Sequence, residues 1–365
     1  MRICFISPKA YPLFNPKIKV TFGGAEVQLY MLGIELAKKK DLDVNFITAD
    51  YGQKKIEEYL GVKVWKSLNF ESNKLSQILC FFKIFNKVNA DIYVQRTLTI
   101  ESGLIALYTK LRRKKFIYMV AHDSEADGMH NLYASKIKSL LARLTFKFAD
   151  VIFVQNNYEK EWLSRRMPVE KIVLLKKGLD LSRVPPKRKG NKKYDAIWVG
   201  RSERWKNVEA FLNLAEEHID KNFLLICMKA TTDSGVFSYI RKRSKKISNL
   251  TFLSMVIQKE IYKYLSESRI FVLTSEKEGD WPMTVLEATA TSLPVLSLSL
   301  NYGSLIDEYC GGIFCNNNEE LLNASFIRLS DDMALYNKMS QNAYEYVKDN
   351  HDIVKNAKTF LSNIN

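Results

Sequence analysis

The sequence predicts an α/β protein of two Rossmann-like domains in tandem, each a parallel sheet covered by helices. Three observations carry this. Short apolar bursts alternate with longer amphipathic stretches along the whole chain, the pattern of strand, helix, strand, helix. The alternation breaks at 181–193, where LSRVPPKRKGNKK holds two prolines, a glycine and six basic residues and reads as an exposed linker. After the break the alternation restarts, and 365 residues are long for one domain but comfortable for two.

Taken in order, RICFISP (2–8) is a buried-strand pattern. AEVQLYMLGIELAKK (25–39) then sets apolar residues at helical spacing and ends in lysines, as a helix C-terminus prefers. DVNFITA (43–49), DIYVQ (91–95), KFIYMVA (115–121) and DVIFVQ (150–155) are the next strands, with helical segments between them. The Phe-rich stretch KLSQILCFFKIFNKV (74–88) is best explained by core packing. Past the linker, YDAIWVG (194–200) is a strand and NVEAFLNLAEEH (207–218) a helix. NFLLICM (222–228), IFVLTS (270–275) and LPVLSLS (293–299) are strands, and 342–364 reads as one terminal helix.

Composition narrows the function. The chain is 47% hydrophobic and 26% charged, which provides for two cores and argues against disorder. No apolar run approaches the roughly 18 residues that span a bilayer, and MRICFISP lacks a signal peptide's cleavage site, so a cytosolic protein is expected. Five scattered cysteines fit reduced thiols, and the close pair Cys310 and Cys315 matches no common zinc pattern. The net charge of +15 is uneven: residues 1–185 hold 31 basic and 18 acidic side chains (+13), and the remainder holds 24 and 22 (+2). Such asymmetry points to an anionic partner for the first half, nucleic acid or an acidic membrane surface, unless it serves solubility alone.

Ligands of open parallel sheets bind beyond the C-terminal ends of the strands, so the loops there matter most. Gly23 and Gly24 precede a helix, where bare backbone N–H groups can approach a phosphate or sugar; such a pair is also an ordinary turn. The arrangement is not the GxGxxG fingerprint of a nicotinamide enzyme. His122 and Asp123 fall at the tip of the strand at 115–121, where a histidine can bond a ligand hydroxyl or cap local backbone. Arg201 and Lys206 flank a helix entrance in GRSERWKN; they make either a diphosphate clamp or a solvated charge cluster. In SEKEGDWPMTVLEATATSLPV (275–295), Glu278 lies in a loop and Glu287 about a turn and a half into a helix that starts near Pro282. Acids so placed can read hydroxyl groups or face solvent. The pair in DLD (41–43) precedes a strand and reads as a turn, and no other paired acids suggest a divalent metal.

Together these loops resemble the pattern of glycosyltransferase family 4, on the two-domain GT-B fold. The matches are GGAE at 23–26, the strand-end His122, GRSERWK at 200–206 and SEKEGDWPMTVLEATATSLPV at 275–295, with KKGLDLSRV at 176–184 similar to the approach to the linker. The resemblance implies an acceptor domain over 1–180, the linker 181–193, a donor domain over 194–344, and a C-terminal helix at about 345–365 that returns to the first domain, with a cleft between the two. It implies a retaining enzyme that uses a nucleotide-sugar and needs neither metal nor cofactor. Arg201 and Lys206 would bind the donor diphosphate, Glu287 the ribose hydroxyls, and Glu278 the transferred sugar. Gly23 and Gly24 would offer backbone contacts to donor phosphate or sugar, and His122 would bond the sugar and align the acceptor. The family places seven residues between its two glutamates where this chain has eight, so Asp280 resembles an insertion that either bulges out or takes over part of the role of Glu278. Lys177 stands where the family has Asn.

The basic first domain favours a glycan acceptor on a lipid, at an anionic membrane surface. LYTKLRRKKF (107–116) and SKIKSLLARLTFKF (135–148) mix basic and apolar residues, and the second can lie as an amphipathic helix on acidic lipid. Two other readings compete. A nucleotide-sugar epimerase of the same fold would turn over donor without an acceptor. A basic nucleic-acid-binding protein would fit the charge, but the chain has no helix-turn-helix, zinc module or RNA-binding aromatic signature, so no nucleic-acid partner is expected.

Overall fold

The computed structural model describes residues 1–20, 22–185, 192–230, 235–256, 258–278 and 281–364. The middle of the predicted linker, 186–191, lies outside the described residues. The chain forms two compact units: Met1–Gly178 with Ile353–Asn365, and Leu179–Asp352.

The first unit is built on an eight-stranded sheet. Its strands are β1 (Arg2–Ile6), β2 (Asp43–Thr48), β3 (Ile56–Tyr59), β4 (Val62–Lys66), β5 (Ile92–Arg96), β6 (Lys115–Met119), β7 (Val151–Val154) and β8 (Ile172–Leu174), in the order β3-β4-β2-β1-β5-β6-β7-β8. All pairings are parallel except β3 with β4. Strand periodicity makes two cores from one strand. Ile3 and Phe5 of β1 enter a layer with Leu29, Leu32 and Phe360, while Cys4 and Ile6 enter the opposite layer with Phe85 and Tyr93. The helix Lys74–Val88 contributes Phe81 and Phe85 to that second layer, as its aromatic content predicts.

The second unit carries β9 (Tyr194–Arg201), β10 (Phe223–Met228), β11 (Leu250–Leu253), β12 (Ser268–Leu273), β13 (Val295–Ser297) and β14 (Gly312–Phe314), all parallel, in the order β11-β10-β9-β12-β13-β14. This is the doubly wound order of a dinucleotide-binding sheet. Here Ile197 and Val199 face one layer with Val285 and Leu286, and Ala196 and Trp198 face the other with Phe211.

Two features differ from the sequence prediction. Five strands, β3, β4, β8, β11 and β14, have no counterpart among the predicted ones. They are three to five residues long and lie at or beside the sheet edges, where a half-exposed strand needs no apolar run. The turn joining β3 to β4 places Leu60 (φ 52°) and Gly61 (φ 80°) in the left-handed region that a tight hairpin requires. The terminal helix is two helices, Met333–Asn350 and Ile353–Ile364. The carbonyl of His351 accepts from Leu179 N at 2.6 Å, and Leu179 bridges Asp352 in parallel, so the backbone here serves a strand-like contact instead of the helix. The last helix then belongs to the first unit, where Phe360 stacks on Phe153 with ring centroids 5.1 Å apart.

Candidate functional site

In the second unit the strand order reverses between β9 and β12, and a doubly wound sheet opens a crevice at that point. The loops after these two strands hold the predicted charged residues. β9 ends at Arg201. Gly200 just before it has no room for a side chain: a Cβ would lie 2.6 Å from the Trp198 ring. That ring donates from Nε1 to Thr274 Oγ1 at 2.9 Å, and Thr274 donates in turn to the carbonyl of Lys206 at 2.7 Å. Glu276 N donates to the carbonyl of Trp205 at 2.8 Å. Buried hydrogen bonds thus stitch the β9 loop to the β12 loop. Asn207, at φ 45°, turns the chain into the helix Val208–Glu217.

This stitching brings Lys206 Nζ onto the Glu278 carboxylate, with both side chains only 15% exposed. Arg201 sits at the same strand end, more than half exposed, with Nε 2.9 Å from Glu203 Oε1. Glu287 is buried on the helix Met283–Ala290, whose N-cap is Pro282. Burial, followed by the charges of Glu287 and Asp180, pushes the Tyr262 phenol well above its ordinary range. Trp281 stacks on Tyr346, centroids 5.1 Å apart, and anchors the start of that helix. Asp280 and its neighbour Gly279 lie outside the described residues.

In the first unit the corresponding reversal lies between β1 and β5. Gly23 and Gly24 open the helix Gly24–Ala37, both exposed. The Gly23 N–H is taken by Glu26 Oε2 at 2.8 Å, whereas a Cβ on Gly24 would meet nothing within 4 Å among the described residues. His122 follows β6 and caps the short helix Asp123–Asp127: its Nδ1 accepts from Ser124 N at 3.1 Å. The capping role foreseen for it is therefore filled, and Nε2 is the ring nitrogen left for a ligand.

Several residues at these edges escape sequence reasoning. Glu203 is nearly buried and holds Arg201, and Thr274 links three segments through one hydroxyl. Glu125 is 1% exposed and accepts from Leu98 N, Ala121 N and Tyr118 OH, tying the loop after β5 to the loop after β6. Glu159 accepts from Gln155 N and Nε2, and Gln155 Oε1 accepts from Arg96 at the end of β5. The available signal was position: each acid lies two to six residues beyond a strand end.

Solved structures share this fold over nearly the whole chain. Sucrose-phosphate synthase from Thermosynechococcus elongatus is 17% identical with a TM-score of 0.75, covering 99% of this chain and 98% of its own. Anabaena HepE in complex with UDP and glucose is 13% identical with a TM-score of 0.73 and coverages of 99% and 98%. UDP-GlcNAc 2-epimerase from Neisseria meningitidis is 14% identical with a TM-score of 0.65 and coverages of 100% and 99%. The class is the GT-B fold, two parallel-sheet α/β units with the terminal helix returned to the first. Residues 22–183 match the family described as Glycosyltransferase Family 4, and residues 183–346 match Glycosyl transferases group 1. An uncharacterised glycosyltransferase of Methanocaldococcus jannaschii is 22% identical, covering 77% of this chain and 76% of its own. The chain belongs to glycosyltransferase family 4, and it is a glycosyltransferase.

Proposed function

We propose that this enzyme transfers a sugar, with retention of configuration and without a metal or cofactor, from a UDP- or GDP-linked donor to a lipid-linked glycan acceptor in surface polysaccharide or glycoconjugate synthesis. The observation that carries this reading is the Lys206–Glu278 pair at the reversal point of the second sheet, with Arg201 on the same strand end. A nucleotide-sugar places a diphosphate directly beside a ring bearing hydroxyls. A cation beside a carboxylate matches that sequence of charges. On donor binding, Lys206 exchanges Glu278 for a phosphate oxygen, and the released carboxylate accepts from sugar hydroxyls. Arg201 and Lys206 then stabilise the charge that develops on the leaving diphosphate as the anomeric carbon–oxygen bond breaks. Glu287, buried nearby in sequence, takes the ribose hydroxyls, and Gly24 leaves open backbone for donor phosphate or sugar. His122 presents Nε2 to the sugar and the acceptor.

The acceptor side of the proposal rests on the first unit. Among the described residues no helix is long and apolar enough to cross a membrane. The helix Lys136–Phe148 exposes Ile137 and Leu140 beside Lys136, Arg143 and Lys147, a face suited to peripheral attachment on the cytosolic side of an anionic bilayer.

The test is a thermal-shift panel of UDP, GDP and their sugars, followed by turnover with and without acceptor lipid. A true donor raises Tm by mass action. Stabilisation by one nucleotide family with acceptor-dependent turnover is the expected result. Conversion of the donor sugar without any acceptor points to an epimerase, and no shift with any nucleotide-sugar removes the donor site.

A further inference from the structure

We infer that Glu203 is a positioning residue for the donor clamp: it grips the guanidinium of Arg201 at Nε, so that the two terminal nitrogens face the diphosphate. This rests on the reading of Arg201 as a diphosphate ligand. Arg201 is the last residue of β9, and its side chain is 55% exposed. An arginine so exposed samples many rotamers, and fixing one on ligand binding costs side-chain entropy. The Glu203 side chain is 5% exposed, and its Oε1 stands 2.9 Å from Arg201 Nε. Five N–H donors make up the guanidinium; using the Nε edge leaves terminal donors for bidentate phosphate binding.

The grip is itself held in place. Ser202, between the two residues, is 1% exposed; its N–H donates to the Met228 carbonyl and its hydroxyl accepts from Ala230 N. The Glu203 carbonyl accepts from Lys206 N at 3.0 Å, so the same short turn sets both cations of the clamp. A second observation separates this role from plain structural support. Glu203 Oε2 is buried and has no hydrogen-bond partner among the described residues. A buried carboxylate oxygen without a partner costs stability. Retaining one beneath a ligand-binding arginine is the pattern of a residue kept for function at the expense of the fold.

The experiment uses the full chain, with UDP as the probe and GDP as a second, by calorimetry, alongside Tm for every variant. Glu203→Ala and Glu203→Asp both lose contact with Nε, and each is expected to weaken binding about tenfold, the scale of one charge-assisted contact. Glu203→Gln keeps an acceptor at the same reach and is expected to stay within about threefold of the wild type. Tm should stay level or rise in Glu203→Gln and Glu203→Ala, because a buried charge is removed. In the Arg201→Ala background, adding Glu203→Ala should change affinity by less than about twofold, since the two act through one contact. Effects that multiply in the double variant overturn the proposal, as does wild-type or tighter binding by Glu203→Asp, which would mean the carboxylate is a bystander or a competitor. Should Glu203→Ala fail to fold, the Asp and Gln variants decide the matter alone. If Arg201→Ala binds both nucleotides as well as the wild type, the clamp itself is gone and the proposal falls with it, an outcome distinct from the others.

Discussion

The two sheets present their C-terminal edges very differently. In the first unit the buried acids are spent on the protein. Glu125 accepts two backbone N–H groups and a tyrosine hydroxyl, and Glu159 accepts from the backbone and side chain of Gln155. In the second unit two acids face cations: Glu278 holds Lys206, and Glu203 holds Arg201 while one of its oxygens stays unpartnered among the described residues. An acid that accepts from backbone fixes a loop and has nothing to exchange. An acid paired with a lysine can trade that partner for a ligand. The difference suggests a rigid floor in the first unit and exchangeable chemistry in the second.

The largest effect expected from this contrast is at Glu278. Glu278→Gln should lower turnover by about 10²–10³, the scale for losing one aligned group in a transition state, while UDP still binds. Turnover with saturating donor and calorimetry with UDP check the two halves separately. If Asp280→Asn is the more damaging change and Glu278→Gln is mild, the extra residue in the loop has become the sugar-binding acid, and Glu278 is only the resting partner of Lys206.

A smaller effect of another kind is expected at Glu125. Burial pushes its carboxyl above the ordinary range even though three donors favour the charged form. Glu125→Gln turns an acceptor toward Ala121 N and Tyr118 into a donor, or leaves Leu98 N unpaired, so it should destabilise the first unit by about 1–3 kcal/mol. Urea unfolding gives that number. Near-normal stability with collapsed turnover would make Glu125 a reacting group and end the contrast between the two edges.

Much of this was legible in the sequence, for identifiable reasons. Central parallel strands are buried on both faces and show as apolar runs such as RICFI and FLLICM, whereas the edge strand IEEY has no such mark. The strand-end positions of Arg201, Lys206 and Glu278 could be read because parallel sheets put ligands there. That Lys206 reaches Glu278 could not, since the contact spans 72 residues and depends on Thr274 and Trp198. Glu125 and Glu203 look alike in sequence, each an acid a few residues past a strand. Only the donors around them separate a loop fastener from an arginine holder.

The smallest expected effects concern the charge difference between the halves, +13 over residues 1–185 and +2 over the rest. On the helix Lys136–Phe148, Ala142, Thr145 and Phe146 are buried, while Ile137 and Leu140 are 74% and 57% exposed. Lys136, Arg143 and Lys147, spaced by seven and four, form a basic stripe beside that apolar edge, and Lys138 flanks it on the other side. Each basic residue near an anionic surface contributes about 1 kcal/mol, screened beyond a Debye length. Replacing any one of the four by Gln should therefore lower partitioning onto acidic vesicles only about fivefold, with nucleotide binding unchanged. Replacing all four by Glu should abolish it. The wild-type protein should release from those vesicles as salt rises and ignore neutral ones. Equal recovery with neutral and acidic vesicles, or none with either, would assign the basic excess to a different anion and favour a soluble acceptor, leaving the donor edge of the second unit untouched.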